Sequence, residues 1–129
     1  MSKPAVAAND AAPSAASTVL SKAAVRAADQ LEMRQAQLAK VLGLSTATIS
    51  RLASGDWFLP EESKPWELAT AFVRVYRSLS AITGGQQLAM HRWLHSHNDA
   101  LGGEPAQLIL TTEGLIHVLN YLDAARSRI

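Results

Sequence analysis

Thr46, Ala47, Ser50 and Arg51 fall at positions i, i+1, i+4 and i+5 of a segment with helical apolar spacing, which places them on one outward face. Arg51 is the side chain on that face able to pair bidentately with O6 and N7 of guanine, and Thr46 and Ala47 suit a thymine methyl. Gln35, at the start of the preceding helical stretch, is placed to hydrogen-bond a phosphate, helped by its own backbone N–H. These residue types in this arrangement point to base reading in a DNA major groove. The plainer alternative is a helical corner kept for packing, with Arg51 a solvated charge.

The elements that would position this face are legible in Gln35 to Gly55, QAQLAKVLGLSTATISRLASG, which reads as a helix-turn-helix. Ala39 is small enough for a helix crossing, and Gly43 can take the positive φ of a tight inter-helix turn. Leu38, Leu42, Leu44, Ile49 and Leu52 supply the buried contacts, with Ala53 also expected to face inward. Ser45 suits the N-cap of the second helix and Gly55 its stop.

Other chemistries find less support. His91 and His95 lie four apart and share a helix face with His97 nearby, but Arg92 stands where HExxH requires glutamate. No acid or further histidine is evidently placed to complete a metal site, and His117 has no partner in sequence. There is no P-loop, GxGxxG or nucleophile elbow, so the chain is expected to be no enzyme, with no catalytic residue, metal or cofactor. The absence of cysteine excludes thiolate sites and fits a reducing cytoplasm.

Residues 1–16, MSKPAVAANDAAPSAA, are Ala-rich without a periodic apolar face and read as a disordered arm. Pro4, Asn9, Asp10 and Pro13 interrupt any signal-peptide core, and Lys3 is its single basic side chain. Ser17 or Thr18 is the expected cap of a first helix running to about Glu32, followed by helices at about 35–42 and 46–54. Pro60 and Pro65 are expected to end regular structure on either side of DWFLPEESKP. A long helix over about 66–83 carries the stripe Leu68, Phe72, Val75, Tyr76, Leu79 and Ile82, with Arg74, Arg77 and Ser78 away from it. Gly84-Gly85 ends it, and a helix over about 86–96 follows with Leu88, Trp93 and Leu94 as its apolar residues. A turn at ALGGEP, a short helical piece AQLIL and a last helix capped by Thr111 or Thr112 complete the chain, with Leu115, Val118, Leu119 and Leu122 buried. No stretch alternates with period two. The fold class is therefore all-α: a helix-turn-helix bundle over 17–60, then a small helical domain over 61–129.

Formal net charge is only +1. Residues 1–58 carry six Lys/Arg against four acids, and the remainder six against seven. Few phosphate contacts are available to a monomer, so operator affinity calls for a dimer. The 66–83 stripe and Trp57-Phe58 are the candidate dimer contacts. No apolar run is long enough for a membrane span.

The second half contains MHRWLHSHNDALGGEPAQLILTTEGLIHVLNYL. Joined to a preceding helix-turn-helix, it resembles the Xre/MbcA/ParS antitoxins over about residues 17–125. The likeness rests on Trp93, Leu94, Asn98, Leu101, Gly102, Gly103, Pro105, Leu108, Thr112, Glu113, Gly114, Val118 and Leu122. The resemblance implies a partner, a RES-domain toxin that consumes NAD+ and is encoded alongside, bound by the C-terminal domain while the N-terminal domain represses the shared operon. It implies toxin contacts at Trp93, Asn98, Gly103 and Gly114, and a tail that blocks access to the toxin's active site. Family members carry glycine in that tail, whereas Arg126, Arg128 and Ile129 stand here, an arginine pair suited either to an anionic pocket or to solvent. From the residues alone, Gly114 within a helix needs a close neighbour, either the partner or the adjacent helix. Trp93 suits a core anchor, Gly102, Gly103 and Pro105 suit a turn, and Asn98 suits a hydrogen bond to that turn's backbone.

The expectation is thus a cytoplasmic antitoxin that represses its own operon, a homodimer within a larger toxin complex, bound to operator DNA. A dimeric helix-turn-helix regulator without a toxin, or an interaction module that has lost DNA binding, are the competing readings.

Overall fold

A computed structural model describes residues 12–128; residues 1–11, including Lys3, and Ile129 lie outside the described residues. The described residues form seven helices: α1 (Ala15–Gln30), α2 (Gln35–Leu42), α3 (Thr46–Ser54), α4 (Lys64–Ile82), α5 (Gln87–Leu94), α6 (Pro105–Leu108) and α7 (Thr112–Arg126). Among them there is no strand, only an isolated bridge between Asn98 and Gly103. The all-α expectation holds.

The first helix starts earlier than its sequence suggests. Ser14 caps α1 by accepting from the Ser17 N–H at 3.0 Å, so neither Ser17 nor Thr18 is the cap. Ser17 and Ser21 lie one turn apart on the buried face instead. Ser17 Oγ donates to the Leu59 carbonyl at 2.6 Å, and Ser21 Oγ accepts from the Leu59 N–H at 2.9 Å. Leu59 sits fully buried in the non-helical link between α3 and α4, where both backbone groups would otherwise lack partners. Two α1 hydroxyls therefore staple that link to the bundle.

Pro65 does not bound α4 from outside but occupies its first turn, where a missing N–H breaks no helical hydrogen bond. Ser63 caps this helix by accepting from the Trp66 N–H at 3.2 Å. Of the expected stripe, Leu68, Phe72, Val75 and Leu79 are buried and Tyr76 and Ile82 half-buried. Ala69, Ala71, Val73 and Ser78 are buried as well, because α4 packs against α1 and α2 on one side and α7 on the other. Ser78 was expected at the surface; it is 1% exposed because α7 covers it. The stripe of α4 is thus spent largely on the chain's own core, with Tyr76 and Ile82 its half-buried members.

A single apolar cluster runs from Ala24 and Leu31 of the first bundle through α4 to Leu115 and Leu122 of α7. In α5 the buried residues are Met90 and Leu94, whereas Leu88 is 62% exposed, contrary to its expected role. The pattern Leu115, Val118, Leu119, Leu122 forms the buried face of α7 as its spacing predicts.

Candidate nucleic-acid and protein interfaces

The turn between α2 and α3 is built from local chemistry. Gly43 ends α2 at φ 69°, a left-handed conformation that glycine adopts without steric cost. The Leu44 N–H closes the turn on the Ala39 carbonyl at 3.0 Å. Ser45 Oγ then accepts from the Thr48 N–H at 3.1 Å and so begins α3. Gly55 stops it at φ 83°.

On this frame Ile49 and Leu52 point into the core, while Ser45, Thr46, Ala47, Ser50 and Arg51 are exposed, as is Gln35 in the first turn of α2. Ala53 does not face inward: beyond Leu52 the helix rotates it onto the open side toward α1. Arg51 Nη2 donates to Thr48 Oγ1 at 3.3 Å, and among the described residues it has no carboxylate partner. Its guanidinium therefore retains free donors for a base or phosphate. Thr48, absent from the expected set, aligns that arginine. Its position three residues before Arg51, on the same helix face, was the available signal.

The second group of predicted residues surrounds the α5–α7 region. Trp93 is half-buried and stacks on Tyr121 with ring centroids 6.3 Å apart, joining α5 to α7. Asn98 organises the turn that follows: its N–H donates to the Gly103 carbonyl at 2.9 Å, and its Oδ1 accepts from the Leu101 N–H at 3.1 Å. Gly102 carries the positive φ of that turn, at 78°, and Gly103 lies in ordinary contact with the Leu108 side chain. Gly114 is buried in the first turn of α7, where a Cβ would approach the Leu108 carbonyl oxygen to 1.9 Å. The close neighbour of this glycine is thus the α6–α7 turn of the same chain.

Arg126 belongs to the last turn of α7 rather than to a loose tail. Asp123 is held by Arg74 Nη2 at 2.6 Å and by Ser78 Oγ at 3.0 Å, and Arg126 Nη1 makes a long contact, 3.5 Å, to the same hydroxyl. Arg128 is exposed. Outside these residues, Glu113, Ile116, His117 and Asn120 line a shallow depression with Leu108 and Gly114. Ile116 is 42% exposed there, an apolar side chain off the buried stripe of α7. Its helical position, out of phase with Leu115 and Val118, was the signal that could have found it.

The rings of His91 and His95 lie 4.4 Å apart, centroid to centroid, but their nitrogens do not share a centre. His95 Nδ1 and His97 Nε2 face Glu104 and Asp99 at 3.3 and 3.1 Å, each its own carboxylate. His91 Nδ1 lies 3.2 Å from Glu32 without the alignment of a hydrogen bond. Among the described residues no group of side chains is arranged to hold a metal, and no helix is long and apolar enough to cross a membrane.

Two families match this chain. Residues 10–74 match the antitoxin Xre-like helix-turn-helix domain, and residues 78–128 match the antitoxin Xre/MbcA/ParS C-terminal toxin-binding domain. Among curated proteins, none matches. The first match spans α1 to α3 and most of α4; the second begins at Ser78 and takes in α5 to α7.

Proposed function

Because the chain belongs to the Xre/MbcA/ParS antitoxins, with a DNA-binding helix-turn-helix and a toxin-binding domain, we propose that it neutralises a RES-domain toxin that consumes NAD+ and represses the operon encoding both. The observation that carries this reading is the succession of the two antitoxin domains along one chain, the first presenting on an exposed α3 face an Arg51 that has no carboxylate partner among the described residues.

Repression is a dimer property in this reading, with two α3 helices reaching successive major grooves about one turn of DNA apart. Arg51 reads a guanine, Thr46 and Ala47 touch a thymine methyl, and Ser45, Ser50 and Gln35 fix the register on the phosphates. Residues 17–60 carry this task and residues 61–129 the toxin, in the cytoplasm. The toxin seats on the face that exposes Ile116 and includes Gly114, and also contacts Trp93, Asn98 and Gly103, while Arg126, Arg128 and Ile129 approach the toxin's active site. Support for the docking face is the exposed Ile116 beside Glu113 and His117, an apolar centre with a polar rim. The chain acts as an inhibitor, without chemistry of its own.

Co-expression with the adjacent reading frame, followed by co-purification and an assay of cellular NAD+, tests the proposal. A stable complex, with NAD+ collapsing only when this chain is withheld, is expected. A harmless neighbour that does not co-purify would leave a dimeric helix-turn-helix regulator without a toxin.

A further inference from the structure

An open groove of about 860 Å³ runs between α1, the C-terminal end of α3 and α4. Its floor is apolar, with Ala23, Val73 and Tyr76, and Val19 stands in it 64% exposed, the most exposed of the large apolar side chains among the described residues. It continues into a shallower trough where Val19 and Val73 meet Trp66. Its rim carries Lys22, Arg26 and Arg77, with Arg74 in the continuation, and among the described residues no carboxylate lines either part. Arg74 pairs with Asp123, but Lys22, Arg26 and Arg77 make no ion pair among the described residues.

We propose that this groove is a docking site for an acidic amphipathic helix of a different protein chain. Apolar side chains at i, i+3 and i+7 of such a helix would cover Val19, Val73 and Tyr76, and its flanking carboxylates would meet Lys22, Arg26 and Arg77. Charge argues against one other occupant and the apolar floor against a second. A second copy docked through a two-fold would set the cationic rim against its own image, with no carboxylate among the described lining residues to relieve it. A phosphate backbone matches the cations but leaves Val19 and the apolar floor uncovered. The site lies apart from the Ile116 face and does not depend on which toxin, if any, that face binds.

The test is fluorescence anisotropy of the full chain with a labelled Leu/Glu peptide of about four helical turns, leucines at helical spacing. Binding in the micromolar range is expected, with Val19→Ser and Arg77→Glu each weakening it about tenfold or more and a Leu/Lys peptide of the same pattern failing to bind. Val19 is exposed and Arg77 is a surface cation, so both variants should keep the wild-type circular dichroism and melting temperature. Three results would overturn the proposal. The first is no binding of the acidic peptide. The second is a dimer that Val19→Ser turns into a monomer in sedimentation. The third is random-sequence DNA that competes with the peptide and is lost with Arg77→Glu.

Discussion

The carbonyl oxygen of Leu108 occupies the space that a side chain on Gly114 would need, 1.9 Å from the position of its Cβ. The obstacle is backbone, held by the turn that α6 makes into α7, so no rotamer change relieves it. Thr111 pins the same turn by accepting from the Gly114 N–H at 3.1 Å. Gly114→Ala therefore gains helix propensity of up to about 1 kcal/mol but must push α6 away from α7, with overpacking costing about 1–3 kcal/mol. Net destabilisation is expected in urea denaturation of the free chain. Greater stability in the variant would assign Gly114 to contact with a partner instead.

Arg51→Ala should weaken binding to a specific operator by about 1–3 kcal/mol and weaken random-sequence DNA less. Titrations of both DNAs at one salt concentration decide it, since phosphate contacts alone would give equal losses.

Thr48→Val, which keeps the side-chain shape but removes the hydroxyl, should release Arg51 from its 3.3 Å contact. Operator affinity is expected to fall less than with Arg51→Ala, the arginine being intact but unaligned. A double variant no weaker than Arg51→Ala alone would show that Thr48 acts through the arginine.

Ser21→Ala leaves the buried Leu59 N–H without its 2.9 Å acceptor, a loss of about 1–3 kcal/mol in chemical denaturation. Ser17→Ala removes the donor to the Leu59 carbonyl and should cost a similar amount. The two should not add, because either one frees the same link.

The arginines at the end of α7 separate by context. Arg126 touches Ser78 within a network that includes Asp123 and Arg74, whereas Arg128 is exposed. Removal of residues 127–129 is expected to leave a toxin complex intact on size-exclusion chromatography while restoring NAD+ consumption. Full neutralisation by the shortened chain would exclude a blocking role for the tail.

The helix-turn-helix was legible because its signals are local: Gly43 and Gly55 set the turns, Ser45 caps, and Ile49 and Leu52 keep helical phase. The same holds for the buried face of α7. What the sequence hid depends on neighbours far along the chain. Ser78 looks like a surface residue until Asp123 arrives from α7, and Ser17 like a cap until Leu59 folds back onto it. Leu88, expected among the apolar residues of its helix, is exposed while Met90 is buried, because α5 turns a different side inward. Among the candidate contact residues, Gly114 had a legible need for a close neighbour, but only the fold identifies that neighbour as Leu108.

The sharing of α4 between the two halves bears on how such a protein disappears from a cell. The helix lays Leu68 near Gly43 of one half and bonds Ser78 to Asp123 of the other, both on one continuous helix. A protease that catches either half open would strip the other of its packing partner. On the proposed function, operator occupancy and toxin control would then lapse together, from one cleavage event.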